Sequence, residues 1–186
     1  MRRVSVVGTS SGAGKSTLGR RLAGRLDLPF VELDALFWRP QWAKPAADEF
    51  RERVARILAG DGWVVDGNYT SHLGDLVWQR ADTVVWLDIP LRVSLWRTFR
   101  RTMGRIRTGE ELWAGNRETF RDAFLKRENL FVYAIRTHRR RQRLFEERLA
   151  SARYGHLAIH RFRSTRAAAR WLELQSLGAA GAPATA

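Results

Sequence analysis

The stretch from Val6 to Thr17, VVGTSSGAGKST, decides the fold of this chain. A β-branched run at residues 2–8, RRVSVVG, leads into it, and such a run predicts a short buried strand. After it, Leu18, Leu22 and Leu26 recur every four residues, which places them on one face of a helix. A strand, a glycine-rich loop and a helix in this order form the arrangement that binds phosphate through backbone amides.

The second half of the loop provides the predicted phosphate ligands. Its backbone N–H groups lie at a helix N-terminus, where the helix dipole favours an anion. The glycines let a phosphate approach closely. We expect the lysine to reach the β- and γ-phosphates of ATP and the Ser16 hydroxyl to bind Mg²⁺. The predicted nucleotide-binding residues of the loop are Ser11, Gly12, Ala13, Gly14, Lys15, Ser16 and Thr17.

The first half of the loop departs from the usual spacing, which places a glycine six residues before the lysine. Thr9 occupies that position, and Gly8 lies one residue further back. Either Thr9 replaces the glycine, or the loop carries one additional residue. We prefer the second interpretation, with a bulge near Thr9 and Ser10, and we expect ATP binding to be weakened but present.

The rest of the chain alternates between short apolar runs and amphipathic stretches. This alternation predicts an α/β fold with a parallel sheet and helices on both of its faces. We expect one domain over residues 1–177, a lid at about 103–120 and a disordered tail at 178–186. The further strands are predicted at 28–36, 62–69, 81–90 and 156–162, and the further helices at 47–60, 91–109, 129–150 and 164–174, the last capped by Ser164.

Acidic side chains follow three of the predicted strands. Glu32 and Asp34 are two residues apart, so they are expected to share one face near the end of the second strand. Asp66 and Asp88 end the third and fourth strands. Because ligands bind beyond the carboxyl ends of parallel strands, these groups are expected beside the loop. One of Asp66 and Asp88 is expected to hold Mg²⁺ through water, or else to bond only to hydroxyls of the loop.

Asp34 is the predicted group that binds or activates a phosphate acceptor. A carboxylate can accept the proton of an attacking hydroxyl, although an aspartate here could instead cap the following turn. Aromatic side chains nearby could form the walls of the acceptor pocket or belong to the core. The predicted acceptor-binding residues are Asp34, Phe37, Trp38, Asp66 and Tyr69, with Trp42 as a further wall.

The composition is strongly basic. The chain has 33 basic and 19 acidic residues, a formal net charge of +14, and nearly all the basic residues are arginine. Arginine binds phosphate in a bidentate way, so an anionic partner is expected, either a nucleotide or a nucleic acid. Cysteine is absent, which excludes disulfides and thiolate metal sites. No apolar run approaches the roughly 20 residues that span a bilayer, so we expect a cytoplasmic enzyme without a membrane partner.

These residues together resemble the P-loop small-molecule kinases, especially the adenylate kinase and shikimate kinase branch. WVVDGNY (63–69) and ADTVVWLDIP (81–90) are similar to the third and fourth strands of adenylate kinases. Glu32 and Asp34 resemble the paired acids of shikimate kinases, in which the second acid contacts the acceptor hydroxyl and the first is near Mg²⁺. The resemblance implies a P-loop NTPase three-layer sandwich with a five-stranded parallel sheet in the order 2-3-1-4-5 and a small arginine-rich lid.

A narrower resemblance rests on LDALFW (33–38), DGNY (66–69) and ELWAGNRE (111–118). These motifs are similar to a bacterial group described as adenylate kinase-like or DNA topology modulation proteins. By similarity to the lid arginines of the shikimate kinase branch, Arg117 is the first choice for a catalytic lid residue, beside Lys15 and Asp34. Arg97 and Arg101 share a helix face and are expected to stack on adenine or pair with phosphate.

The predicted function is an ATP-dependent kinase that transfers the γ-phosphate to a small acceptor, such as a nucleotide, a nucleoside or another metabolite. The alternative is a nucleic-acid-associated ATPase or regulator that uses the basic helix near 136–148. A weaker third option is a nucleotide-binding switch with little catalysis. We favour the kinase because paired acids after the second strand have no use in a pure DNA binder. No oligomeric state is predicted.

Overall fold

The strand that precedes the glycine-rich loop lies at the centre of a parallel sheet. The computed structural model describes residues 1–126 and 129–178, and within these ranges five strands pair in the order β2-β3-β1-β4-β5. This order and the uniformly parallel pairing confirm the predicted fold class. The strands are β1 (Arg3–Gly8), β2 (Phe30–Glu32), β3 (Trp63–Asp66), β4 (Thr83–Leu87) and β5 (Ala158–Phe162).

Helices cover both faces of the sheet and bury a separate apolar cluster on each. On one face α1 and α8 pack Leu22 and Leu172 against Val4 and Val6. On the other face, the side chains of α2, α3, α5 and α7 surround Trp86 and its neighbours. The helices are α1 (Lys15–Leu26), α2 (Leu33–Phe37), α3 (Ala47–Ile57), α4 (Thr70–Leu73), α5 (Leu76–Arg80), α6 (Leu91–Thr108), α7 (Leu130–Ala150) and α8 (Thr165–Gly178).

The second strand is shorter than the sequence predicts. β2 ends at Glu32, and α2 begins at the next residue, so Asp34 lies on a helix. The expectation that Glu32 and Asp34 share a strand face is therefore wrong. Leu33 and Phe37 are buried, at 1% and 3% exposure, whereas Ala35 between them is exposed. A strand would bring all three residues to one face, but a helix turns Ala35 away from the core.

The region predicted as a lid consists of two parts. Residues 103–108 form the last turns of α6, which ends at Gly109 in a left-handed conformation with φ of 64°. The following segment folds back through an isolated antiparallel bridge between Glu111 and Arg117. The buried Asn116 then accepts a hydrogen bond from the Trp42 amide at 2.9 Å and donates one to the Arg39 carbonyl at 2.8 Å. The segment is thus bound to the turn that follows α2.

The end of the chain agrees with the predicted helix start. The Ser164 hydroxyl accepts a hydrogen bond from the Ala167 amide at 3.2 Å, as expected of the residue that caps α8. Of the predicted tail at 178–186, Gly178 is the last residue of α8, and residues 179–186 lie outside the described residues. Within the described ranges no helix combines the length and apolarity needed to cross a membrane.

Candidate active site

The glycine-rich loop leaves the start of α1 open to an anion. Gly14 precedes the helix without a side-chain cap, and the first turn carries no acidic residue. The first bond of the helix joins the Leu18 amide to the Gly14 carbonyl at 3.0 Å, so the three amides before it have no partner within the helix. Gly12 and Gly14 adopt left-handed conformations with φ of 75° and 96°. This half of the loop has the geometry predicted for binding phosphate.

Thr9 takes the place of the usual first glycine without an inserted residue. The Thr9 amide donates to the Leu87 carbonyl at 3.2 Å, so the pairing of β1 with β4 continues unbroken past Gly8. The preferred interpretation, a bulge near Thr9 and Ser10, is therefore wrong. A threonine fits because its hydroxyl donates to Asp88 Oδ1 at 2.9 Å and accepts from Trp86 Nε1 at 3.0 Å.

Gly8 has a separate role beside the lysine. A Cβ at this position would lie 3.0 Å from Lys15 Cγ and 3.1 Å from the Ala13 Cβ. The stem of Lys15 therefore passes directly over the end of β1. Asn68, which the sequence analysis did not single out, accepts from the Gly8 amide at 3.2 Å and donates to the Gly8 carbonyl. The DGN sequence after β3 thus links that strand to the loop.

A cavity of about 600 Å³ extends from the loop between α6 and the start of α8. Arg97 and Arg101 both line it, as their predicted role in nucleotide binding requires. Two further arginines of this cavity, Arg21 and Arg166, were not singled out from the sequence. The high arginine content of the sequence indicated an anion-binding surface, but it does not distinguish these two arginines from other exposed ones.

Ser16 and Asp66 meet where the loop faces the end of β3. The Ser16 hydroxyl donates to Asp66 Oδ2, whereas Asp66 Oδ1 is buried and has no hydrogen-bond partner. Burial raises the pKa of Asp66, and both the Lys15 charge and the Ser16 hydrogen bond lower it. A buried carboxylate with one unused oxygen beside a hydroxyl is a donor set that suits a hard divalent cation.

Asp88 is occupied by protein groups behind the loop. Its carboxylate accepts from the Thr9 hydroxyl, from Gln142 Nε2 at 3.2 Å and from Arg161 Nη2 at 2.6 Å. Of the two predicted roles for Asp88, the bond to a loop hydroxyl is the one observed. His138, to which the sequence analysis assigned no role, contacts the Ser10 hydroxyl through Nδ1 at 2.7 Å.

We expect Arg161→Ala to lower the free energy of unfolding by about 3–5 kcal/mol, because it leaves the buried Asp88 carboxylate without its cation. Urea denaturation measures this change. Arg163→Ala is the matched control, since that side chain is 74% exposed and lies 3.9 Å from the same carboxylate. Equal losses for the two variants would show that Arg161 contributes no special stabilisation.

The paired acids differ in their surroundings. Glu32 forms an ion pair with Arg20 at 2.7 Å and accepts a hydrogen bond from the Trp113 side chain, and burial raises its pKa. Asp34 has no ion pair within the described residues and accepts from the Tyr69 hydroxyl at 2.5 Å through Oδ1. Burial and the Asp34 charge raise the pKa of Tyr69, so the tyrosine remains a donor. Asp34 is the acid whose second oxygen is available to a ligand.

The predicted aromatic walls divide into core and cavity residues. Phe37 is a core residue and not a wall of the pocket, because it packs edge-on against Phe50 at a centroid distance of 5.1 Å. Tyr69 also contacts this cluster but keeps its hydroxyl on Asp34. Trp38 and Trp42 form a T-shaped pair at 5.4 Å and line a second cavity.

The structure does not bring Arg117 to the loop. Its side chain is 60% exposed and pairs with Glu111 at 2.7 Å on the surface of the lid segment. Arg101, in contrast, lines the cavity beside the loop. Loss of solvent in the cleft and the Arg105 charge lower the pKa of Arg101, whereas Glu118 and Asp34 raise it. Arg101, which lies on α6 just before the predicted lid, is thus an arginine that interacts electrostatically with Asp34.

The chain is similar to known kinases both in sequence and in fold. The family described as "Shikimate kinase" matches residues 11–57, which include the second half of the loop and both paired acids. The shikimate kinase of Persephonella marina is 29% identical over 72% of this chain and 86% of its own length. The solved shikimate kinase from Acinetobacter baumannii in complex with shikimate has a TM-score of 0.60 at 20% identity, covering 98% of this chain and 96% of its own.

A gluconokinase from Sinorhizobium meliloti 1021 shares the fold with a TM-score of 0.51 at 18% identity, covering 96% of this chain and 91% of its own. The fold is therefore that of the P-loop kinases. Together with the sequence similarity to shikimate kinases, it confirms the predicted resemblance and identifies an ATP-dependent kinase of a small substrate. The narrower resemblance to the topology-modulation group stays a prediction.

Proposed function

We propose that the protein transfers the γ-phosphate of Mg²⁺-bound ATP to a hydroxyl of a small acceptor held at Asp34. The observation that carries this proposal is the convergence of three groups on Asp66. The Ser16 hydroxyl donates a hydrogen bond to Asp66. Burial raises the pKa of Asp66, the Lys15 charge lowers it, and the Asp34 charge raises it. Phosphate-binding and acceptor-binding groups therefore both lie near one buried carboxylate.

The site has a place for the metal that such a transfer uses. The Ser16 hydroxyl and the unpartnered Asp66 Oδ1 would hold Mg²⁺, directly or through water. Bound there, the ion would neutralise negative charge on the phosphates. Lys15 extends from the same loop over Gly8 and provides a second positive charge. We propose that Arg97 and Arg101 provide the others, because both line the nucleotide cavity, and that Arg117 does not.

Asp34 is the proposed base of the reaction. Its Oδ1 accepts the hydrogen bond of the Tyr69 hydroxyl, which fixes the orientation of the carboxylate, and Oδ2 is the oxygen proposed to contact the acceptor. The proton of the acceptor hydroxyl passes to Asp34 as the oxygen forms a bond to the γ-phosphorus. The bond from that phosphorus to the β,γ-bridging oxygen breaks, and ADP leaves with the electron pair.

An acceptor screen tests the kinase against the nucleic-acid alternative. ADP release from Mg²⁺-ATP is measured with single acceptors, namely nucleosides, nucleotides, shikimate and sugars, and separately with duplex DNA at 50 and 200 mM salt. The proposal predicts release that depends on one acceptor class and that Asp34→Asn abolishes. Release stimulated by DNA alone, with the steep salt dependence of phosphate contacts, would instead favour the basic face of α7 as the functional surface.

A further inference from the structure

Helix α7 holds the two residues that lead into the phosphate-binding half of the loop. The Thr9 hydroxyl donates to one oxygen of Asp88, and the other oxygen of that carboxylate accepts from Gln142 of α7 at 3.2 Å. Ser10 contacts the same helix directly, because its hydroxyl lies 2.7 Å from His138 Nδ1. The predicted phosphate ligands begin at the next residue of the chain, so these contacts with α7 immediately precede them.

The sequence of α7 is unusual where it meets the loop. Residues 136–143 read RTHRRRQR, and all but one of the five arginines in this run are exposed. His138 and Gln142 interrupt the run one helical turn apart, on the face of α7 that also carries the buried Ala134 and Phe145. The helix therefore turns its arginines toward solvent and two other polar side chains toward the loop.

The Ser10 hydroxyl is buried, so its contact with His138 has an energetic role. Ser10 is 1% exposed, and a buried hydroxyl that loses its hydrogen bond raises the free energy of the folded state. Without the imidazole, Ser10 would therefore be favoured to move toward another partner or toward water. Its backbone continues directly into Ser11 and Gly12, so such a movement would also displace amides that are predicted to bind phosphate.

A histidine suits this place better than a further arginine. Burial lowers the pKa of His138, the Asp88 charge opposes this effect and the Arg139 charge adds to it. Asp88 is itself paired with Arg161 at 2.6 Å. The imidazole is therefore mainly neutral at pH 7, with one nitrogen that donates and one that accepts. It can bond to the Ser10 hydroxyl in either direction, whereas a guanidinium can only donate.

We propose that His138 is a positioning residue for the bound nucleotide, which acts through Ser10 to align the backbone amides of residues 11–17 with the phosphates of ATP. Donors that are aligned before an anion arrives bind it more tightly than donors that must be ordered on binding. His138 does not line the nucleotide cavity, so its effect passes through the loop. This inference rests on the proposed function, because it takes the loop as the ATP site.

A double-mutant cycle tests the proposal. His138→Leu and Ser10→Ala each remove one side of the contact, and the affinity of the full chain for Mg²⁺ and the non-hydrolysable ATP analogue AMP-PNP is measured by calorimetry. Each variant is expected to bind AMP-PNP about 3- to 10-fold more weakly, the range of one net hydrogen bond. The double variant should bind no more weakly than the weaker single variant, because one contact is lost only once. Unchanged affinity in either single variant, or losses that multiply in the double variant, would overturn the proposal.

A conservative variant and a matched control separate positioning from a general loss of a histidine. The amide of His138→Asn can either donate to Ser10 or accept from it, so affinity for AMP-PNP should stay within about twofold of the original chain. His156→Leu is the control, since this exposed histidine also makes one hydrogen bond, to the Trp78 carbonyl at 3.2 Å, and should leave affinity unchanged. An equal loss in His138→Asn and His138→Leu, or a similar loss in His156→Leu, would contradict the proposed role.

Two further measurements separate this inference from loss of the fold and from failure of the kinase proposal. Thermal unfolding shows whether each variant is folded at the temperature of the titration, and if His138→Leu is not, Ser10→Ala and His138→Asn decide the outcome. Unchanged affinity for AMP-PNP in Lys15→Ala would contradict the proposed function, whatever the His138 variants do. If Lys15→Ala loses affinity while the His138 and Ser10 variants keep it, the kinase proposal stands and the positioning role is wrong.

Discussion

Asp34→Asn is expected to lower the rate of phosphoryl transfer by roughly 10²- to 10⁴-fold, the range of general-base catalysis, while ATP binds as before. The amide oxygen of asparagine can still accept the Tyr69 hydrogen bond, so the side chain keeps its position. It can no longer take a proton from the acceptor. Single-turnover transfer measured beside ATP calorimetry separates the two effects.

The comparison for this variant is Asp48→Asn, at an exposed carboxylate in the first turn of α3. It should change neither transfer nor ATP binding. Tyr69→Phe should cause a smaller loss of transfer than Asp34→Asn, because it frees the carboxylate without removing it. A loss of Mg²⁺-ATP affinity in Asp34→Asn would instead assign Asp34 to metal binding. That role would agree with the pKa of Asp66, which is raised mainly by burial and also by the Asp34 charge.

Lys15→Met is expected to lower the rate of phosphoryl transfer by roughly 10²- to 10³-fold. This is the usual effect of removing one group that stabilises charge in a transition state. ATP affinity should fall as well, because the lysine also contacts phosphate in the ground state. The unbranched methionine can follow the path of the lysine stem over Gly8, where space is limited, so the loop should keep its shape.

Lys15→Ala serves as a second variant that removes both stem and charge. Lys44→Ala, at an exposed position in the loop before α3, controls for the loss of one positive charge from the chain. ATP binding is measured by calorimetry in all three proteins. Unchanged affinity in both Lys15 variants would exclude the loop as the phosphate site and remove the basis of the kinase proposal.

The parallel sheet and the phosphate loop could be predicted because their signals are local, whereas the strand order was implied only by the resemblance to P-loop kinases. β-branched runs that alternate with helical stripes specify a parallel sheet, and the helix after Gly14 shows its leucine spacing directly. The same reasoning misplaced Asp34. A short helix of five residues carries too few positions for its period to be distinguished from a strand.

The partners of the site residues were beyond sequence reasoning. Asn116 holds the lid segment against Trp42, 74 residues away, and His138 contacts Ser10 across 128 residues. Neither pair shares a pattern within one element. The sequence could not distinguish Phe37 from the aromatic residues that line a pocket, because its burial depends on contacts with other elements, such as that with Phe50. Arg117 was chosen by resemblance, and its pairing with Glu111 is a property of the folded segment.

Thr9 has a consequence for how phosphate loops are recognised. Its side chain belongs to a buried polar group with Trp86, Asp88 and Arg161, so the residue type at this position follows from what lies behind the sheet edge and not from the nucleotide. A motif search that insists on glycine there would discard chains of this kind. Positions 9, 86, 88 and 161 should instead vary together among relatives, as a signature independent of the glycines.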